Sequence, residues 1–246
     1  MKVLILAAGY GTRLYPVIKN TPKPLLDVSG KPIIDHLLDK FNGVESLTEI
    51  LVVSNSKFEQ TFEEWAAQHR DFKSRLRVLD DGSSSPDDRL GSIGDINFVL
   101  EAESLQEDLL VVGGDNLFDC PLDDFLQFAQ KRAPEVSIGL FDIGEKESAK
   151  EFGVVSVDQA HKVTSFEEKP AHPKSSLIAM CLYYFPEESL GLVAQYLREC
   201  QKADKAGDYI RWLCQKQNVH GYQFQGKWFD IGSIESYREA QKAFSK

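Results

Sequence analysis

The chain has 246 residues, 42% of them hydrophobic, and its 28 basic and 38 acidic side chains give a formal net charge of −10. A chain of this length and composition can bury a large core as a single α/β domain without a metal or a disulfide to hold it together. The negative net charge opposes non-specific binding to nucleic acid and to an anionic membrane surface. A phosphorylated ligand would therefore need local positive charge or a metal ion.

Five short runs rich in Val, Ile and Leu predict β-strands, and they lie at 3–8, 49–55, 76–80, 108–115 and 135–143. The periodicity between them predicts helices at 32–42, 58–70, 91–104 and 123–132. Alternation of this kind is typical of βαβ units, which build a mainly parallel sheet covered by helices on both faces. The first run, VLILAA, is too short for a signal peptide or a membrane span, so we interpret it as a buried strand.

The pattern changes after Phe152, where GVVSVD, KVTSFEEK and SLIAMCLYYF follow one another with short polar turns and predict a strand-rich insertion. Helices are expected near 186–202 and 209–216, then a strand pair around 222–231 and a last helix from Ser233. The patch DDGSSSPDD, which begins at Asp80, predicts a surface loop beside a strand end. The spacing of the cysteines fits neither a metal site nor a disulfide scaffold and predicts reduced thiols in a cytoplasmic protein: Cys120, Cys181, Cys200 and Cys214.

The glycine-rich segment LAAGYGTRL follows the first predicted strand and precedes a polar stretch. Such a loop can aim backbone N–H groups at an anion. A dinucleotide-binding fingerprint would need a third glycine where Leu14 stands, and a P-loop would need Ser or Thr where Pro32 follows Gly30 and Lys31. Both of these motifs are excluded, and a structural turn remains an alternative at this point.

The stretch AAGYGTRLYPVIKNTPKPLLDVSGKPII, residues 7–34, resembles the signature of the sugar-1-phosphate nucleotidyltransferases. Further motifs in the same order are LGSIGD, VVGGDN, FGVV, FEEKP and WFDIGSIESYREA. The resemblance implies a Rossmann-like fold with a mixed, mainly parallel sheet flanked by helices and a strand-rich insertion that binds sugar. It also implies one domain over 1–246, in which 1–135 mainly binds the nucleotide and 136–246 mainly binds the sugar.

In the implied reaction a sugar 1-phosphate displaces pyrophosphate from a nucleoside triphosphate, and the difficulty is electrostatic because two anions must meet in line. The resemblance gives catalytic roles to Arg13 on the leaving phosphates and to Lys23 on the α-phosphate. It assigns Asp115 and Asp230 to a bound Mg²⁺, an ion that prefers oxygen ligands and shares its shell with phosphates. The residues expected to bind the nucleotide are Ala8, Gly9, Gly11, Thr12, Arg13, Asp81, Gly91 and Ser92.

The sugar phosphate has its own expected contacts. Lys169 resembles the lysine that holds the phosphate of the sugar, and Glu168 resembles the carboxylate that accepts sugar hydroxyls. Gly153 would allow a backbone contact with the sugar, and Tyr183 would lie along it. These assignments leave the nucleobase and the exact sugar open.

We therefore expect a Mg²⁺-dependent enzyme that joins dTTP or UTP to glucose 1-phosphate, working as a monomer or a small homo-oligomer without nucleic-acid or membrane partners. One alternative is a cytidylyltransferase that acts on phosphocholine or another non-sugar phosphate. The other is a catalytically silent regulator that binds nucleotide sugars. Retained charges of both signs, as at Lys23 and Asp115, argue against the silent regulator.

Overall fold

The computed structural model describes residues 1–11, 20–70, 72, 75–200 and 205–245. Within them the helices are α1 (Ile33–Phe41), α2 (Glu59–Ala66), α3 (Gly91–Ala102), α4 (Asp123–Gln130), α5 (Gly191–Glu199), α6 (Ala206–Lys216) and α7 (Ile234–Phe244). The strands are β1 (Lys2–Leu6), β2 (Asp27–Val28), β3 (Lys31–Pro32), β4 (Glu49–Ser54), β5 (Arg75–Asp80), β6 (Leu109–Gly113), β7 (Asn116–Phe118), β8 (Val136–Asp142), β9 (Gly153–Val157), β10 (Val163–Glu168), β11 (Leu177–Phe185), β12 (Val219–Gln223) and β13 (Trp228–Asp230). Every strand and helix predicted before Phe152 is present, with ends that differ by a few residues.

Two compact units make up the chain, and the first contains residues 1–90, 112–122 and 226–246. In it β1, β4 and β5 pair in parallel, with Leu4 opposite Leu51 and Leu51 opposite Arg77. Strand β4 is buried along its whole length, and α1 buries its apolar face through Ile33, Ile34, Leu37, Leu38 and Phe41. Because the carboxyl ends of parallel strands meet at one edge of a sheet, the glycine-rich loop after β1 and the segment after β5 leave the sheet at the same edge.

The second unit contains residues 91–111 and 123–225. Its strands are mostly antiparallel, since β11 pairs with β8 and β9 and β10 pairs with β9, whereas β12 runs parallel to β8. The expected mixed α/β fold, with parallel strands, flanking helices and a strand-rich second half, is confirmed. The assignment of residues 1–135 to the nucleotide and of residues 136–246 to the sugar stays a prediction, because compactness does not show which ligand a unit binds.

One pairing prediction is wrong. The sequence predicts a strand pair around 222–231, but β12 pairs with β8 and β13 pairs antiparallel with β7. Both strands pair with segments distant in sequence, although consecutive strands are usually neighbours. The last helix does start at the predicted Ser233, which caps it: the Ser233 side chain accepts the Ser236 N–H, and the Ser236 side chain accepts the Ser233 N–H.

No helix among the described residues is long and apolar enough to cross a membrane. Among the described residues, which include all four cysteines, no disulfide bond is formed: Cys120, Cys181, Cys200 and Cys214.

Candidate active site

A lysine and an aspartate from distant regions of the sequence form an ion pair in the first unit. The Lys23 Nζ lies 3.3 Å from the Asp115 Oδ2, and the two side chains keep 15% and 33% of their exposure. Lys23 begins a short 3₁₀ turn after Pro22, and Asp115 follows the end of β6 after one intervening residue, Gly114. An ion pair that keeps some of its exposure holds both charges in place while leaving them within reach of a ligand.

Gly114 explains how these two residues come so close. A Cβ atom built at this position would lie 2.8 Å from the Leu6 carbonyl oxygen and 2.8 Å from the Pro24 Cγ. The Gly114 N–H donates to the same Leu6 oxygen at 2.9 Å. The turn after β6 therefore passes against the end of β1 and against the segment that carries Lys23, and only a residue without a side chain fits there.

We expect Gly114→Ala to lower the free energy of unfolding by about 1 to 3 kcal/mol, because the new methyl group meets a backbone oxygen that cannot turn aside. The measurement is urea denaturation of the variant and the wild type. Gly43→Ala is the matched control, since a Cβ there would meet no atom within 4 Å. Equal stability of the Gly114→Ala and Gly43→Ala variants would contradict the close approach at Gly114.

Asp230 is brought beside Asp115 by an antiparallel pair of strands. Asp230 in β13 lies opposite Asn116 in β7, and the Ile231 N–H donates to the Asp115 carbonyl oxygen at 2.9 Å. The Trp228 Nε1 donates to the Asn116 Oδ1 at 2.7 Å, which fixes the register of this pair. The two predicted metal ligands thus occupy neighbouring backbone positions although 115 residues separate them in sequence.

The donor chemistry of Asp115 and Asp230 is compatible with Mg²⁺, which prefers oxygen ligands. Within residues 1–11, 20–70, 75–200 and 205–245, no group of three or more His, Cys, Asp or Glu side chains is arranged to hold a metal ion. Mg²⁺ needs no such group, because proteins usually bind it through one or two carboxylates and leave the other positions to water and substrate phosphate. Asp115 and Asp230 supply a donor set of that kind.

The predicted phosphate loop is exposed at Gly9, partly buried at Gly11, and held in place by contacts with neighbouring segments. Gly9 is exposed, and Gly11 has a φ of 62°, in the left-handed region that glycine favours. The Asn55 Nδ2 donates to the Ala8 carbonyl oxygen at 2.7 Å, which ties the loop to the end of β4. Two predicted nucleotide ligands, Thr12 and Arg13, lie outside the described residues.

The segment after β5 is held by polar contacts that begin at Asp81. The side chain of Asp81 is almost fully buried, and its Oδ1 accepts the Ser83 N–H and the Ser83 hydroxyl, each at 2.7 Å. The Ser83 Oγ in turn lies 3.3 Å from the Tyr10 hydroxyl, which connects this segment to the glycine-rich loop. Downstream, Asp88 accepts the N–H groups of Ser84 and Ser85, and these bonds lower the pKa of its carboxyl to about 2.

The remaining predicted nucleotide ligands lie in the second unit. Gly91 and Ser92 are the first two residues of α3, and both are partly exposed. Gly91 has a φ of 77°, again in the left-handed region. The first backbone N–H groups of this helix have no intrahelical partner, as in any helix.

Three of the four predicted sugar ligands come together in a hairpin of the second unit. Gly153 begins β9 and lies directly opposite Glu168, the last residue of β10. Lys169 follows with an exposed side chain and a φ of 46°, a backbone conformation that few residues other than glycine adopt. Such uncommon backbone conformations cluster at functional sites. Its N–H donates to the Phe152 carbonyl oxygen at 3.0 Å, which closes the end of the hairpin.

Burial raises the pKa of two of these predicted sugar ligands, Glu168 and Tyr183. Burial raises the pKa of the Glu168 carboxyl, and the Lys169 charge partly opposes that shift. Tyr183 in β11 keeps only 4% of its exposure, and burial raises the pKa of its hydroxyl well above its usual range. Its ring packs against Phe185 with centroids 6.1 Å apart.

Sequence reasoning missed several residues that lie beside predicted ligands within each unit: Tyr10, Asn55, Ser83 and Gly114 in the first unit, and Gly207, beside Glu168, in the second. The glycines could be found only from the atoms that surround them. Tyr10 lies between the two loop glycines, and a polar side chain at that position was the one available signal.

Comparison with known proteins gives a consistent family. The model of the family described as "Nucleotidyl transferase" matches residues 2–246. The bifunctional protein GlmU of Methanocaldococcus jannaschii is 28% identical over 243 residues, which cover 98% of this chain and 54% of that protein. GlmU of Methanococcus aeolicus is 29% identical over 234 residues, with 94% and 51% covered. The chain thus spans about half the length of the curated relatives it matches.

A solved structure shares the fold. It is described as a putative glucose-1-phosphate thymidylyltransferase from Bacillus anthracis in complex with a sucrose, and it superposes with a TM-score of 0.81 at 23% sequence identity. The match covers 98% of this chain and 94% of the other. Because the family model matches nearly every residue, the chain belongs to the nucleotidyl transferase family.

Proposed function

We propose that the chain is a nucleotidyltransferase that joins a nucleoside triphosphate, with dTTP or UTP favoured, to a sugar 1-phosphate, with glucose 1-phosphate favoured. The observation that carries the proposal is the Lys23 and Asp115 pair, which puts opposite charges 3.3 Å apart at the end of β6. The family membership and the GlmU relatives support the same reaction class. We also propose a cytoplasmic location, since the four cysteines form no disulfide bond.

In the proposed reaction an oxygen of the sugar phosphate attacks the α-phosphorus, and the bond to the bridging oxygen of pyrophosphate breaks. A phosphate monoester is largely dianionic at pH 7, because its second pKa is about 6, so no general base is required. The chain must instead bring the anions together. The Lys23 ammonium would lie on the α-phosphate and the attacking phosphate, where it offsets their repulsion.

Asp115 and Asp230 would hold Mg²⁺. The ion, when bound, neutralises charge that develops on the phosphate oxygens. Asp115 also keeps the Lys23 side chain oriented through their ion pair. Arg13, in the role that the family resemblance implies, would neutralise charge on the leaving pyrophosphate with the N–H donors of its planar guanidinium group.

In the second unit, Glu168 would accept hydroxyl groups of the sugar and Lys169 would bind its phosphate. The Glu168 carboxylate offers about four acceptor positions, enough for two hydroxyls. The backbone of Gly153, which lies opposite Glu168 in the hairpin, is a further proposed contact with the sugar.

The test is release of pyrophosphate from each common nucleoside triphosphate, with Mg²⁺, across a panel of hexose 1-phosphates. We expect release with dTTP or UTP and glucose 1-phosphate. Release only with CTP and choline phosphate would favour a cytidylyltransferase for a non-sugar phosphate. Binding of nucleotide sugars without any release would indicate a silent regulator and would overturn the proposal.

A further inference from the structure

The Glu168 carboxylate occupies a space that is open because residue 207 is a glycine. A Cβ built at Gly207, in the first turn of α6, would lie 1.9 Å from the Glu168 Oε2 and 2.7 Å from its Cδ. A Cβ built at Gly153 would lie 3.3 Å from the same Oε2. The carboxylate therefore occupies the space of the side chain that Gly207 lacks.

Charged side chains surround the Glu168 carboxylate, which makes no hydrogen bond with the residues that the structure describes. Four charged side chains act on it: Lys169, Lys205, Asp208 and Arg211. Burial is the largest influence and raises the pKa of the carboxyl, with Asp208 adding to the shift and the three cations opposing it. A half-buried carboxylate without a hydrogen-bond partner is costly, and that cost is offset when a ligand supplies donors.

We propose that Gly207 is a positioning residue for the sugar phosphate, because its missing side chain lets the Glu168 carboxylate lie against the first turn of α6, where it accepts sugar hydroxyls. This inference rests on the proposed function. It adds a residue from a separate helix to the site predicted from the FEEKP motif. The identity of residue 207 would then affect how well the enzyme recognises the hydroxyl groups of its sugar.

Gly207 suits a test better than Gly153 does. The atoms that an alanine at 207 would meet belong to the end of the Glu168 side chain, which can turn away, and to the Phe166 ring at 3.3 Å. An alanine at 153 would meet the Phe166 Cζ at 2.5 Å inside the core. Position 207 lies within α6, and alanine is the better helix former, so Gly207→Ala should fold.

The first experiment is steady-state kinetics of Gly207→Ala. We expect the KM for the sugar 1-phosphate to rise about tenfold, because the displaced Glu168 carboxylate loses its hydrogen bonds with the sugar hydroxyls. The KM for the nucleoside triphosphate should stay within about twofold of the wild-type value. Gly191→Ala is the matched control, since Gly191 also begins a helix and a Cβ there would meet no atom within 4 Å. Equal KM values for Gly207→Ala and Gly191→Ala would overturn the proposal.

A double variant distinguishes positioning of the Glu168 carboxylate from a general effect of the substitution on α6. If Gly207 acts through Glu168, the Gly207→Ala and Glu168→Ala double variant should have the same KM as Glu168→Ala alone. Additive effects of the two substitutions would show that Gly207 acts by another route and would contradict the proposal.

A third readout needs no turnover. Carbon-detected NMR titration should give the Glu168 carboxyl a raised pKa in the wild type and a lower pKa in Gly207→Ala, because the displaced group moves toward water. An unchanged Glu168 pKa would overturn the proposal. If the wild type releases no pyrophosphate with any sugar phosphate, the proposed function fails, while the titration still decides whether Gly207 places the carboxylate.

Discussion

Asp115→Asn should lower kcat by about 10³-fold, the size of effect produced by removing a main electrostatic contributor to a transition state. The substitution keeps the shape of the side chain but removes its charge. It would weaken the proposed Mg²⁺ site and remove the anion that lies 3.3 Å from the Lys23 Nζ. The measurement is pyrophosphate release at saturating substrates over a range of Mg²⁺ concentrations.

The control for Asp115→Asn is Glu45→Gln, which removes a carboxylate from an exposed position in the same unit. We expect Glu45→Gln to keep the activity of the wild type. Raising the Mg²⁺ concentration should restore some of the lost activity of Asp115→Asn if the metal role is correct. A kcat within about threefold of the wild type would refute the role of Asp115 in catalysis.

Lys23→Met should lower kcat by about 10²-fold with a smaller change in the KM for the nucleoside triphosphate. Methionine keeps the length and apolar stem of lysine, so the loss would report on the ammonium charge. That charge would matter most in the transition state, where the two phosphates come together. Lys242→Met, at an exposed position on α7, is the control.

Lys23→Arg refines the second prediction. Arginine keeps the positive charge but spreads it over a planar fork that does not suit a site built around a compact ammonium. We expect it to recover only a fraction of the lost activity. A Lys23→Met variant with raised KM and unchanged kcat would mean that Lys23 binds ground state and transition state equally, which would contradict its proposed catalytic role.

The local setting of several candidate site residues could be predicted, because a sequence motif specifies which residues are neighbours along the chain. The run LLVVGGD predicted a strand followed by an aspartate, and β6 does end immediately before Gly114 and Asp115. The FEEKP motif predicted Glu168 and Lys169 as sugar ligands, which stays a prediction, and the structure places both at the end of a hairpin, with an uncommon backbone conformation at Lys169. Neither motif contains information about Gly207, which lies 39 positions after Glu168.

The sequence by itself determined the features that depend on near neighbours. Apolar runs specified buried strands such as β4, and Ser233 specified the start of α7, because period and capping act within one or two turns of the chain. The tertiary structure decided which distant segments meet. It paired β13 with β7 instead of β12. It also placed Lys23 beside Asp115, because Gly114 has no side chain to keep their segments apart. Such contacts depend on the space left by atoms far away in sequence, and no local pattern encodes that space.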